Sequence, residues 1–273
     1  MITIPIKRIM SLVRVNSPLI HCITNPISIN DCANAVLAVG AKPIMAEHPK
    51  EVAEITASSA ALAVNLGNIT DIRMEAMMIS GYIARENHIP TVIDIVGVGC
   101  SKLRLDFAKK FISQRAPTVI KGNISEIKAI CGYTANSLGI DVGVCDKINP
   151  KNIDRNLQML KKLSEDAGAI IVVTGEIDYI VWKNTAYCVQ NGVKMLSEIT
   201  GTGCMLNVLI ATFLSAGELL EASILATAML GIAGELAVTE EGTGSFHVGL
   251  LNALNMMTDV QLQKKIQLEE ISI

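Results

Sequence analysis

An α/β fold with a mostly parallel sheet between two layers of helices is what this chain predicts, and three observations carry the prediction. Short apolar runs alternate with longer amphipathic stretches, polar or glycine-containing turns follow most of those runs, and beyond Cys204 the pattern becomes almost wholly helical. Parallel strands need crossover connections between them, and the amphipathic stretches supply these.

Taken in order, Leu19–Thr24 is an apolar run ending in Asn25-Pro26, which reads as a strand entering a turn. Ser28–Val39 has helical spacing, with Ser28 placed to cap it and Gly40 to stop it. Pro43–Met45 is too short for a helix and reads as a strand, followed by an amphipathic stretch over Glu51–Ser59. Ala61–Asn65 is a third apolar run that opens into Leu66-Gly67-Asn68, and Asp71–Asn87 is the next helix. Thr91–Ile95 is a strand carrying Asp94 near its end, Lys102–Ser113 a helix, and Thr118–Lys121 a strand leading into Gly122-Asn123 and a helix over Ile124–Cys131. Ser137–Pro150 is the long irregular connection, after which a helix over Asn152–Asp166 precedes strands at Ala169–Val173 and Tyr179–Trp182. Helices are expected over Met205–Leu214, Leu219–Val238 and Phe246–Met256.

Composition narrows the function classes. With 273 residues, 50% of them hydrophobic, the chain can bury a large core, and no linker-like segment divides it, so one domain over 1–273 is expected. A net charge of −3 with scattered basic residues argues against a nucleic-acid surface. Seven cysteines form no Cys-x-x-Cys pair, which points to free thiols in a reducing cytoplasm and to neither a zinc site nor a disulfide framework. The N-terminal residues lack a leader pattern, and the apolar stretch near residue 230 is interrupted by Gly231, Gly234 and Glu235, so a core helix is expected in place of a membrane span. Aromatic residues make up only 3%, leaving a flat ligand few rings to stack on and making a methionine such as Met45 a candidate contact.

The densest chemical signal is Glu198-Ile-Thr-Gly-Thr-Gly-Cys204, where a glycine-rich loop becomes a helix. Gly201 and Gly203 let backbone approach a ligand closely, and the free N–H groups and positive dipole end of the following helix favour an anion. Cys204 stands in that first turn, where a thiol has a lowered pKa and can serve as base, nucleophile or polar contact; the plain alternative is a tight turn beside a small buried hydrophobe. Asp94 at a strand end is a natural partner for Mg²⁺ or else the N-cap of the next helix. Asn123-Ile-Ser-Glu126 fits both a capping-box helix start and a Mg²⁺-and-phosphate motif, and Lys121 before it could meet phosphates as a point charge.

Five blocks, beginning "HCITNPISIND", "VIDIVGVG", "VIKGNISEI", "VVTGEIDYI" and "TGTGCMLNVL", stand in this order along the chain and resemble the hydroxyethylthiazole kinases of thiamin salvage, a branch of the ribokinase-like superfamily. The resemblance implies a ribokinase-like three-layer α/β/α fold without a β lid, and transfer of the ATP γ-phosphoryl group, with Mg²⁺, to the hydroxyl of 4-methyl-5-(2-hydroxyethyl)thiazole. It also implies a homotrimer with pockets at subunit boundaries. By the same resemblance Asn25, Met45 and Gly201 serve the thiazole and its hydroxyl. Lys121, Asn123, Thr174 and Gly203 face the nucleotide, Asp94 and Glu126 organise Mg²⁺ directly or through water, and Cys204 replaces the aspartate that many ribokinase-like kinases use for the hydroxyl proton. Ile95 and Thr243 stand where these kinases usually carry proline. Two alternatives remain open: a kinase for another small heteroaromatic alcohol, and a catalytically silent nucleotide-binding oligomer.

Overall fold

The computed structural model describes residues 3–133, 148–149 and 152–273. Nine strands form one sheet: β1 (Leu19–Ile23), β2 (Lys42–Ile44), β3 (Ala61–Asn65), β4 (Thr91–Asp94), β5 (Val119–Asn123), β6 (Ile170–Thr174), β7 (Asp178–Trp182), β8 (Thr185–Val189) and β9 (Leu268–Ser272). Their spatial order is β2-β1-β3-β4-β5-β6-β7-β8-β9, parallel from β2 through β6 and antiparallel from there to β9. The parallel strands β1, β3, β4, β5 and β6 lie almost entirely buried, as strands covered on both faces must.

Side chains alternate between the two faces and feed two cores. One face, carrying Ala61, Ala63, Val92, Val119 and Val172, packs against α1 (Ile6–Asn16), α2 (Ile29–Ala38), α8 (Thr202–Leu214), α9 (Leu219–Ala237), α10 (Thr243–Met256) and α11 (Asp259–Lys265). The other, carrying Leu62, Val64, Ile93, Ile120 and Ile171, packs against α3 (Val52–Ala57), α4 (Asp71–Glu86), α5 (Lys102–Arg115), α6 (Ile124–Ile130) and α7 (Ile153–Ala167). The three expected layers are therefore present. α9 is long and apolar enough to cross a membrane, yet most of it is buried inside the protein as a core helix.

Most expected elements lie within a few residues of their observed bounds. The amphipathic N-terminal α1, the hairpin partner β8, α11 and the closing strand β9 were not anticipated. β9 is partly exposed along its length, so it carries no buried alternation to reveal it. The irregular connection expected at Ser137–Pro150 lies outside the described residues except for Ile148 and Asn149. Ser28 stands at the N-cap of α2 but its side chain does not cap: its hydroxyl donates instead to Asn25 Oδ1 at 3.2 Å.

Candidate active site at the carboxyl ends of the strands

Sheet register places three polar residues in one row. Asn65 stands beside Asp94 and Asp94 beside Lys121 on the adjacent strands β3, β4 and β5, while Asn123 stands beside Thr174 on β5 and β6. Each of the first three continues the alternate positions that face α8, following Ala63, Val92 and Val119. The row thus lies at the carboxyl end of the parallel sheet, the end at which open α/β sheets bind ligands.

Within that row Lys121 Nζ lies 2.9 Å from Asp94 Oδ2, and Asn65 Nδ2 donates to the same oxygen at 3.0 Å. Both charged groups are almost fully buried. Burial pushes the Asp94 carboxyl above the ordinary carboxylate range despite the pull of Lys121 and Asn65. Burial alone would lower the Lys121 pKa, but the adjacent Asp94 charge outweighs it and holds the ammonium above the ordinary lysine value. Asp94 is not the N-cap of α5, a position taken by Ser101.

α8 closes the row from above. Gly201 at its N-cap has φ +90°, a left-handed conformation that favours glycine, and a Cβ there would stand a tight 3.1 Å from Ser28 Cβ. No side chain caps the helix and its first turn carries no acidic residue, which leaves its leading N–H groups for an anion. A Cβ on Gly203 would sit 3.5 Å from Lys121 Nζ, so the ammonium lies directly beneath that turn. Helix terminus and ammonium together form one positive locus suited to phosphate.

Cys204 enters the same locus from the opposite side. Its Sγ receives Asn25 Nδ2 at 3.1 Å and Asn65 Nδ2 at 3.4 Å. Sequence reasoning expected the helix terminus to lower this thiol's pKa; the structure corrects that. Burial raises it above the ordinary thiol value and the Asp94 charge raises it further, while Ser28, Lys121 and Asn25 pull the other way without prevailing. Cys204 therefore rests as a thiol surrounded by groups that would favour its thiolate.

Glu126 does not reach out as a free ligand. Its Oε1 accepts from Gly97 N at 2.7 Å and its Oε2 from Asn123 N at 2.8 Å, the latter closing the capping box read from the sequence. Burial, and then the Asp94 charge, push its pKa up to about 7. By contrast Asp94 Oδ1 is buried without a hydrogen-bond partner, an unfilled acceptor that suits a cation or its bound water. Among the described residues no three His, Cys, Asp or Glu gather into a metal cluster, so a cation here would draw most of its ligands from phosphate and water oxygens, as Mg²⁺ does.

Asn25 is nearly fully buried and its amide is occupied: Nδ2 also donates to Asn65 Oδ1 at 3.2 Å, and Oδ1 accepts from Ile27 N, Ser28 N and the Ser28 hydroxyl. Its polar atoms hold the turn after β1 and aim at Cys204. Met45 is half-buried just beyond β2. Its loop is anchored by His21, which is fully buried with a lowered pKa caused first by that burial, and is therefore neutral. Its Nε2–H then donates to Ala46 O at 2.9 Å while Nδ1 lies 2.9 Å from Thr56 Oγ1. Beyond Ala46, Glu47 grips Arg73 through both oxygens at 2.7 and 3.2 Å. Thr174 stands half-buried at the end of β6, two strands from Asp94, where Gly175 N donates to Asp178 Oδ1 at 2.9 Å and closes the turn into β7. His247 lies 3.1 Å from Asp31 Oδ1 and joins α10 to α2.

Two residues without an assigned role prove central. Asn65 ends its apolar run as Asp94 ends the next, and that shared position was its signal. Asn207, one turn beyond Cys204, donates from Nδ2 to Val64 O at 3.2 Å and so fixes α8 against β3; a polar residue in an otherwise apolar helix was its only mark.

Comparison with known proteins agrees with this fold. Residues 10–260 match the model of the hydroxyethylthiazole kinase family. Hydroxyethylthiazole kinase 2 of Clostridium botulinum (strain Langeland) is 56% identical over 94% of this chain and 97% of its own length. Hydroxyethylthiazole kinase 1 of Methanosphaera stadtmanae is 39% identical over 97% of each. The solved structure of a Pyrococcus horikoshii hydroxyethylthiazole kinase superposes with a TM-score of 0.87 at 30% identity, covering 98% of this chain and 99% of that one. The pyridoxal kinase of Staphylococcus aureus solved with ADP, at 14% identity and a TM-score of 0.65 over 93% of this chain and 98% of its own, shares the fold. With a family match over most of its length and an α/β sheet of the same architecture, this chain belongs to the hydroxyethylthiazole kinase family.

Proposed function

We propose that the row Asn65–Asp94–Lys121, closed by the uncapped N-terminus of α8 and by Cys204, is where this kinase passes the ATP γ-phosphoryl group to the hydroxyl of hydroxyethylthiazole. The observation that carries the assignment is the convergence of Lys121 Nζ and the first turn of α8 on one locus, with the Cys204 thiol beside it. Phosphoryl transfer needs positioning and charge stabilisation above all, and these groups provide both.

The substrate oxygen bonds to the γ-phosphorus, the bond to the bridging oxygen breaks, and ADP leaves with that electron pair. The fraction of Cys204 present as thiolate takes the hydroxyl proton, and the Asn25 and Asn65 amides that donate to its sulfur stabilise that charge beforehand. Lys121 and the α8 N–H groups hold the transferring oxygens, with Gly201 beside the substrate hydroxyl. Asn123 and Thr174 serve the nucleotide and Met45 the heterocycle. Mg²⁺ at the open oxygen of Asp94 would neutralise phosphate charge; Glu126 contributes by fixing the Gly97 loop and through water.

The chain acts as a single kinase domain over 1–273 and as a homotrimer whose subunit boundary completes the thiazole pocket. Exposed Ile27, two residues after Asn25, and half-buried Met45 support that boundary. Six free thiols among the described residues support a reducing, cytoplasmic setting. ATP consumption by the purified protein with the thiazole alcohol, with the product identified by mass, tests the reaction. Turnover of pyridoxal or a pyrimidine alcohol alone would replace the substrate, and ATP binding without turnover would overturn the kinase assignment. Light scattering during gel filtration tests the trimer.

A further inference from the structure

One buried amide joins the charged pair to the thiol. Asn65 Nδ2 donates to Asp94 Oδ2 at 3.0 Å and reaches Cys204 Sγ at 3.4 Å, while Asn65 Oδ1 accepts from Gly67 N at 2.8 Å and Asn25 Nδ2 at 3.2 Å. An amide has two N–H donors and an oxygen with two lone pairs, so all its capacity is used and a flip would break every contact at once. Asn65 is about 1% exposed, which leaves no polar atom for a ligand. The helix that carries Cys204 is pinned to the residue before it, since Asn207 Nδ2 donates to Val64 O.

We propose that Asn65 is a positioning residue that fixes the Cys204 sulfur relative to the Asp94–Lys121 pair, so that the acceptor of the hydroxyl proton and the charges that hold the phosphates keep one separation throughout the reaction. The kinetic half rests on the reading of Cys204 given above; the geometric half stands on the hydrogen bonds alone. Asparagine is required because both functions of the amide are used. Aspartate has the same shape but offers no N–H to Asp94 or to sulfur, and adds a charge between them.

The test uses Asn65→Asp and the uncharged Asn65→Ala in the full chain, with two readouts. The first is the rate of Cys204 alkylation by iodoacetamide in ligand-free protein, followed by peptide mass so that exposed Cys100 is counted separately. The second is kcat and KM for each substrate. Asn65→Asp should slow Cys204 alkylation at least threefold, and both variants should lower kcat tenfold or more with each KM within about threefold of the native value. Should the aspartate variant fail to fold, Asn65→Ala carries the kinetic expectation by itself. Alkylation of Asn65→Asp at the native rate, native kcat in either variant, or a loss that appears only as raised KM values would each overturn the proposal. Cys204→Ala separates the two readings: native kcat there ends the proton-acceptor role of Cys204, while slowed alkylation in Asn65→Asp would still uphold the hold of Asn65 on the thiol.

Discussion

Asn25 and Cys204 stand 179 positions apart in the chain, yet Asn25 Nδ2 lies 3.1 Å from Cys204 Sγ. The amide comes from the turn after β1 and the thiol from the first turn of α8, so the thiol end of the site is assembled from two elements that share no local sequence. What the contact does can be read from substitutions.

Cys204→Ala should lower kcat roughly 100-fold, the usual worth of a positioned base, with little change in either KM. Because burial raises the thiol's pKa, native kcat/KM should climb with pH as the thiolate fraction grows, whereas Cys204→Asp should stay active to lower pH. Steady-state pH profiles of the three proteins check this. An alanine variant as fast as the native enzyme would leave the thiol a space-filling role.

Lys121→Met removes one member of a buried pair. It should destabilise the fold by about 3 kcal/mol or more, because the buried Asp94 loses its cation and must either stay charged without it or take up a proton, and it should raise the ATP KM. Adding Asp94→Asn should recover much of the stability and none of the activity. Denaturant unfolding of the single and double variants measures the coupling, and strictly additive losses would contradict it.

Met45→Ala should raise the thiazole KM roughly tenfold through lost apolar contact and leave the ATP KM near native. His21→Ala, which releases the loop behind Met45, should shift the thiazole KM in the same direction. Initial-rate kinetics varying each substrate separately decides between this and an effect confined to the nucleotide.

Glu126 has a pKa of about 7 in the fold, above its unfolded value, so the folded state binds the extra proton. Its contribution to stability is full below the unfolded carboxylate pKa and is lost as pH rises through about 7, a span worth up to roughly 3 kcal/mol. In Glu126→Gln that decline should vanish. His21, with its lowered pKa, acts oppositely: its contribution is present above the ordinary histidine value and lost on acidification. Thermal melts from pH 5 to 8 on native and variant protein test the pair of signs.

Much of this was legible in the sequence because the parallel core writes itself as apolar runs, and the polar residue ending each run marks the ligand edge. Asp94 and Lys121 stood out in that way, Asn123 through its spacing to Glu126, and Gly201 through the glycine-rich loop that opens a helix. Asn65 was visible at the end of its run, but its role depends on strand register, which aligns it with Asp94 and which no local pattern encodes. The thiol pKa of Cys204 was misjudged for a related reason. The helix terminus is a local feature of the chain, whereas burial and the Asp94 charge arrive only when α8 packs against the sheet. The two oxygens of Glu126 were likewise spent on backbone N–H groups, one of them 29 residues away, a partner no spacing rule names.

The docking of α8 also binds folding to activity. Six parallel strands precede it in the chain, and until it arrives Asp94 and Lys121 lack the helix that packs over β4. A growing chain released that far carries its ion pair in water, where the charges cost little and hold nothing. Arrival of the segment from Gly201 onward desolvates the pair, delivers the thiol to its two amides and aims the helix terminus in a single event. A form that lacks this docking has neither the helix terminus nor the Cys204 thiol in place, and so lacks two of the groups proposed to carry phosphoryl transfer.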